Sequence, residues 1–105
     1  MFEKGFSLSA EAFRDLPEVV QRIDVREPWE SQLARIPGAV LIPLGELEAR
    51  VAELDPARPL VAYCHHGVRS LHALRLLQAA GFTDLAHLSG GIEAYSNLDP
   101  SVPRY

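Results

Sequence analysis

Apolar residues recur along this chain in two patterns, short unbroken runs and longer stretches with helical spacing. The short runs, rich in β-branched and other apolar residues, predict buried strands, and a further edge strand is expected near the N-terminus. The predicted strands are 6–8, 19–25, 39–42, 60–63 and 85–88. Helical spacing, capping residues and prolines predict helices at 9–16, 29–33, 44–54 and 70–80, and a last helical turn at 92–95.

Strands that alternate with helices predict an α/β fold with a mainly parallel sheet. At 105 residues, without internal repeats, the chain is expected to form a single domain over 1–105. Its core would run from about 8 to 95. The segment 96–105 contains Pro100 and Pro103 and is expected to be an irregular C-terminal tail.

Ligands of parallel sheets bind beyond the carboxyl ends of the strands. Three segments with hydrogen-bonding residues follow predicted strand ends, namely Asp24–Glu27, the segment beginning at Cys64, and Ser89–Gly91. If the strands run parallel, all three lie along one edge of the sheet. This edge is therefore the expected functional site.

Charge and composition exclude several classes of partner. The net charge is −4 and the ten basic residues are scattered, which argues against nucleic-acid binding. The longest apolar stretch, 38–44, is too short to span a membrane. The single cysteine excludes an internal disulfide, and residues 1–5 lack the apolar core of a signal peptide. We expect a cytoplasmic protein, monomeric by default.

The chemistry of the chain is concentrated after the predicted strand 60–63. The loop residues are Cys64, His65, His66, Gly67, Val68, Arg69 and Ser70. A strand, a tight loop and a helix N-terminus form a site for anions, because backbone N–H groups converge there. Cys64 is therefore a candidate nucleophile. A lone cysteine after a strand is otherwise an inert core thiol, and adjacent histidines rarely converge on one metal ion, so no metal is expected.

The motifs of this chain resemble those of the single-domain rhodaneses, a family of thiosulfate or persulfide sulfurtransferases. Each motif is weak alone, but together they occur in the order and spacing of that family from about residue 8 to residue 95. They are Asp24-Val25-Arg26-Glu27, Ile36-Pro37-Gly38-Ala39 with Ile42-Pro43-Leu44, Tyr63-Cys64 with Gly67 and Arg69-Ser70, Ala80-Gly81-Phe82, and Leu88 to Ile92 with Gly90-Gly91.

The resemblance implies a rhodanese-like three-layer fold, with a five-stranded, mainly parallel sheet flanked by helices. It also implies that Cys64 carries the transferred sulfur as a persulfide and that residues 65–70 bind the substrate. Asp24 and Arg26 would brace the strand end near the site. The donor would be thiosulfate or a persulfide, and the acceptor a thiol, cyanide or a sulfur-relay protein. No cofactor is implied.

His65 and His66 bear on the choice of sulfur donor. Family members that use thiosulfate often carry fixed cations just after the cysteine, whereas histidines are only partly charged near neutral pH. The resemblance therefore leaves thiosulfate in doubt as the physiological donor.

Two other functions are compatible with a cysteine loop of this kind. One is a cysteine phosphatase or an arsenate reductase. Cysteine phosphatases place five residues between cysteine and arginine, so that the loop wraps a tetrahedral oxyanion, but only four separate Cys64 from Arg69. A smaller loop suits a single sulfur atom better than a phosphoryl group. Reductases that resolve through an internal disulfide need a second cysteine, and this sequence has one cysteine only. A non-catalytic, rhodanese-like binding or regulatory module is the other alternative.

Overall fold

A parallel sheet forms the centre of the protein. The computed structural model describes residues 1–2 and 6–105. The segment 1–5, which was expected to lack the apolar core of a signal peptide, therefore lies partly outside the described residues. The strands are β1 (Phe6–Leu8), β2 (Gln21–Asp24), β3 (Val40–Leu41), β4 (Leu60–Tyr63) and β5 (Leu85–Leu88). They lie in the order β1-β5-β4-β2-β3, and every described pair is parallel, which confirms the expected topology.

Helices cover both faces of the sheet and complete the expected three layers. They are α1 (Ala10–Arg14), α2 (Pro28–Leu33), α3 (Leu47–Arg50), α4 (Val68–Ala79) and α5 (Gly91–Leu98). One core, which contains Phe13 and Ile92, joins α1 and α5 to the sheet. A second core, which contains Leu47 and Leu77, joins α3 and α4 to the opposite face. Strand β4 contributes alternate residues to the two cores, and all four of its residues are buried.

The predicted helix 44–54 is not continuous. Only Leu47–Arg50 forms α-helix, and the 3₁₀ turns Leu44–Glu46 and Val51–Glu53 lie on either side of it. Such turns are common where short helices end, because they pair backbone groups that an α-helix leaves free. Predicted strands 19–25 and 39–42 are likewise shorter than expected, at four and two residues.

Helix α5 extends beyond the single turn predicted at 92–95, and the predicted tail therefore begins in helix. Ser96, which was expected to lie in the tail, is buried, and its Oγ donates to the carbonyl oxygen of Ile92 at 3.0 Å. This bond satisfies the hydroxyl inside the helix, so α5 continues to Leu98. Residues 99–105 form neither helix nor strand, but Val102 is buried and holds this segment against the core.

Candidate active site

Cys64 lies directly after β4, and its thiol faces backbone donors. The residue is buried, and its Sγ accepts hydrogen bonds from the backbone N–H of Gly67 at 3.1 Å and of Ser70 at 3.3 Å. Helix α4 begins at Val68, two residues earlier than predicted, so Ser70 lies in its first turn. N–H groups in a first turn have no helical partner. They are available here to stabilise a negative charge on sulfur.

The first turn of helix α5 binds two backbone carbonyls of the cysteine loop. The backbone N–H of Ile92 donates to the Cys64 carbonyl at 2.9 Å, and that of Glu93 donates to the His65 carbonyl at 3.2 Å. Gly91 has a φ of +63°, and a Cβ there would overlap the His65 carbonyl. Gly67 has a φ of +110°, and a Cβ there would overlap the Ser89 carbonyl. These two close approaches require glycine.

The two loop histidines form an aromatic stack with the last residue of the tail. The rings of His65 and His66 lie 4.0 Å apart, and the other face of His65 stacks on Tyr105 at 4.1 Å. His65 Nε2 also lies 3.5 Å from a carboxylate oxygen of Glu93, which is paired with Arg104. The tail thus forms one wall beside the cysteine loop.

Arg69 is held by a carboxylate of α2. Its two terminal nitrogens donate to the two carboxylate oxygens of Glu30 at 2.6 and 2.9 Å. This hydrogen bonding outweighs the effect of burial and lowers the pKa of Glu30 to about 2, so the carboxylate is charged at neutral pH. Arg69 therefore has a fixed counter-charge. Val68, the preceding loop residue, is 79% exposed.

Asp24 and Arg26 form a buried ion pair at the end of β2. Arg26 is fully buried and donates through Nε and one terminal nitrogen to the two oxygens of Asp24, at 2.9 and 2.7 Å. It also donates to the Ala34 carbonyl at the end of α2. Burial opposes the charge of Arg26, but its bonds to Asp24 and Tyr105 prevail and raise its pKa. These contacts join the end of β2 to the end of α2.

Two residues of this network, Glu30 and Tyr105, were absent from the sequence-based site. The Tyr105 hydroxyl donates to Glu30 at 2.6 Å and accepts from Arg26 at 2.9 Å. Burial, followed by the bond to Glu30, raises the pKa of Tyr105 to about 12. An acidic residue in the first turn of a helix is common, so Glu30 gave no signal. An aromatic residue in a proline-containing tail was the available signal for Tyr105.

His87 of β5 is the third residue that the sequence analysis did not assign to the site. The structure places it, buried, beside the cysteine loop. Its Nδ1 lies 2.9 Å from the Ser70 hydroxyl, which itself lies 3.6 Å from the Cys64 sulfur. Burial lowers the pKa of His87, which favours the neutral imidazole. A polar residue inside the apolar run 85–88 was the signal for this role.

Within residues 1–2 and 6–105, no group of three His, Cys, Asp or Glu side chains could hold a metal ion. None of the helices that the structure describes is long and apolar enough to cross a bilayer.

Fold and site together define a class of protein. A cysteine follows a central parallel strand and faces the N–H groups of a loop and a helix N-terminus, which is the arrangement of cysteine-loop proteins that hold an anion or a transferred atom. The model of the rhodanese-like domain family matches residues 9–98. The chain belongs to this family.

Individual relatives and solved structures agree with this assignment. The chain is 32% identical over 91 residues to the thiosulfate sulfurtransferase GlpE of Pseudomonas syringae, covering 87% of this chain and 84% of that protein. The crystal structure of a rhodanese-related protein from Thermoplasma volcanium superposes with a TM-score of 0.82 at 26% identity, covering 90% and 93% of the two chains.

Some relatives are much longer than this chain. The rhodanese-like/PpiC domain-containing protein 12 of Arabidopsis thaliana, from the chloroplast, is 38% identical over 90 residues. That match covers 81% of this chain but 30% of the plant protein. The chain therefore corresponds to one part of such a relative.

Proposed function

We propose that the protein is a sulfurtransferase that carries a sulfane sulfur as a persulfide on Cys64. The observation that carries the proposal is the pair of backbone N–H groups, of Gly67 and Ser70, that point at the Cys64 sulfur. Donors fixed in this way stabilise an anion on the thiol sulfur without needing to reorganise when the charge forms. The persulfide sulfur would bind in the same loop, over residues 65–70.

The reaction consists of two displacements at sulfur. The Cys64 thiolate attacks the sulfane sulfur of the donor, a new S–S bond forms, and the old bond to that sulfur breaks. The leaving group takes the electron pair, as sulfite from thiosulfate or as a thiolate from a persulfide. An acceptor thiolate or cyanide then attacks the outer sulfur, and Cys64 leaves as thiolate. No cofactor is needed for either step.

The charges at the site favour a persulfide over thiosulfate as the donor. Thiosulfate carries two negative charges, and its binding benefits from a fixed cation near the sulfur. Arg69, the cation of the loop, already donates to both oxygens of Glu30. A low-charge persulfide does not require the missing cation.

The acceptor would be a small thiol or cyanide, or the thiol of a sulfur-relay protein. Val68 at the loop is 79% exposed and Trp29 of α2 is 60% exposed, so apolar surface is available to a protein partner beside the site. The cycle returns Cys64 as a free thiolate, and the reducing cytoplasm keeps such a thiol from forming a disulfide. Transfer from the loaded protein to glutathione, compared with transfer to cyanide, tests whether a thiol can serve as the acceptor.

Intact mass spectrometry tests the proposal directly. Incubation with thiosulfate or with glutathione persulfide should add the mass of one sulfur atom, and cyanide or dithiothreitol should remove it. Cys64→Ser should neither gain the mass nor transfer sulfur, while its circular dichroism stays that of the parent. Sulfur transfer by a folded Cys64→Ser variant would contradict the mechanism.

The same samples separate the two alternative functions. Hydrolysis of p-nitrophenyl phosphate that is lost in Cys64→Ser would favour a phosphatase. A protein that neither takes up sulfur nor hydrolyses the ester would be a binding module. The four-residue spacing from Cys64 to Arg69 and the engagement of Arg69 by Glu30 both argue against the wrapping of a phosphoryl group.

A further inference from the structure

A buried histidine lies behind the cysteine loop and takes no part in the displacements described above. Ser70 is fully buried, and its hydroxyl oxygen lies 2.9 Å from His87 Nδ1, 3.2 Å from the Gly67 carbonyl oxygen and 3.6 Å from the Cys64 sulfur. The other ring nitrogen, Nε2, lies 3.5 Å from the Ser7 hydroxyl. A chain of polar groups thus runs from β1 to the reactive sulfur.

The neighbours of the Ser70 hydroxyl determine which way its hydrogen points. A hydroxyl has one hydrogen to donate and two lone pairs. The Gly67 carbonyl can only accept, and so can a sulfur anion on Cys64. If Ser70 donated to His87, its lone pairs would face both of these acceptors. If His87 donates from Nδ1 instead, the Ser70 hydrogen is free for the carbonyl or the sulfur.

The state of the His87 ring agrees with the second arrangement. Burial favours the neutral imidazole, in which one nitrogen carries hydrogen and the other accepts. With the hydrogen on Nδ1, the lone pair of Nε2 faces the Ser7 hydroxyl, which is able to donate to it. Nδ1 then donates to the Ser70 hydroxyl oxygen, and Nε2 accepts from the Ser7 hydroxyl.

We propose that His87 is a positioning residue that makes the Ser70 hydroxyl a third hydrogen-bond donor to the sulfur anion on Cys64. By donating to the Ser70 oxygen, His87 leaves the Ser70 hydrogen free to point at the Gly67 carbonyl or at the sulfur. The Ser70 hydrogen then turns from the Gly67 carbonyl to the sulfur when charge forms there. The effect on sulfur transfer rests on the proposed function, but the effect on thiolate reactivity does not.

Alkylation of Cys64 by iodoacetamide tests the proposal, because only the thiolate reacts. At a fixed pH below neutral, Ser70→Ala should slow alkylation about tenfold, the effect of losing one hydrogen bond to a charged group. His87→Leu should slow it about threefold to tenfold, and the double variant should be no slower than Ser70→Ala. His87→Asn places an amide N–H near the position of Nδ1 and should restore the parent rate.

Controls separate positioning from packing and from the proposed function. His72→Leu, on α4, should leave the rate unchanged, and circular dichroism should show that each variant is folded. In ¹⁵N NMR of the parent protein, His87 should carry its hydrogen on Nδ1. A hydrogen on Nε2, an unchanged rate in folded His87→Leu, or no recovery in His87→Asn would each overturn the proposal. Failure of sulfur loading in the parent protein would overturn the proposed function alone.

Discussion

Replacing Glu30 with glutamine removes the negative charge that pairs with Arg69 of the cysteine loop and keeps the shape of the side chain. The carboxylate accepts from two nitrogens of Arg69, from the Tyr105 hydroxyl at 2.6 Å and from the backbone N–H of Glu27 at 3.0 Å. A neutral amide accepts weaker hydrogen bonds than a carboxylate and leaves Arg69 without a counter-charge. We therefore expect Glu30→Gln to be less stable than the parent protein.

The pKa of Glu30 gives the size and the pH range of this loss. Folding lowers the pKa from 4.5 to about 2. At 1.36 kcal/mol per unit, the charged form contributes about 3 kcal/mol to stability. Because the folded-state pKa is the lower one, this stability is present above about pH 4.5 and is lost as the pH falls towards 2. The parent and Glu30→Gln should therefore converge in acid.

Urea unfolding, followed by circular dichroism, measures the difference between the two proteins. At pH 7 we expect Glu30→Gln to lose about 3 kcal/mol of unfolding free energy, and the gap should narrow steadily below about pH 4.5. Glu48→Gln, at an exposed position of α3, is the matched control and should change stability by less than about 0.5 kcal/mol. A gap below about 1 kcal/mol, or one that is the same at every pH, would refute the reasoning.

Two further variants test the glycine and the tyrosine beside the cysteine loop. Gly91→Ala should cost at least about 2 kcal/mol more than Gly81→Ala in urea unfolding, because both have positive φ but only Gly91 meets the His65 carbonyl; equal losses would contradict the close approach. Tyr105→Phe keeps the ring but removes the hydroxyl that the buried Arg26 donates to, and should cost about 1–2 kcal/mol in the same assay. An unchanged stability would show that this hydroxyl does not support the site.

The edge that carries the site could be predicted from the sequence because it follows from short-range patterns. Apolar runs located the strands, and parallel pairing then placed Cys64, Asp24 and the turn before Ile92 at one edge. The backbone bonds from Val25 to Tyr63 and from Ile92 to Cys64 join these segments as expected. The glycines of the loop and the turn were recognised as motif positions, but their close contacts were not.

The charge and hydrogen-bond partners of the site could not be predicted in the same way. Glu30 and Arg69 are far apart in sequence, and the residues around each of them do not indicate its partner. Tyr105 reaches the site only because the tail folds back after α5, which depends on the burial of Val102. His87 was visible as a polar residue in a buried strand, but its partner depended on the first turn of α4.

The bonds from α5 to the cysteine loop also set the order in which a newly made chain acquires its reactive centre. The carbonyls of Cys64 and His65 are held by Ile92 and Glu93, which leave the ribosome later. Until residues 91–93 have been synthesised and have docked, the thiol lies in a loop without its final shape. The backbone donors around Cys64 therefore reach their final arrangement only after residues 91–93 have docked on the loop.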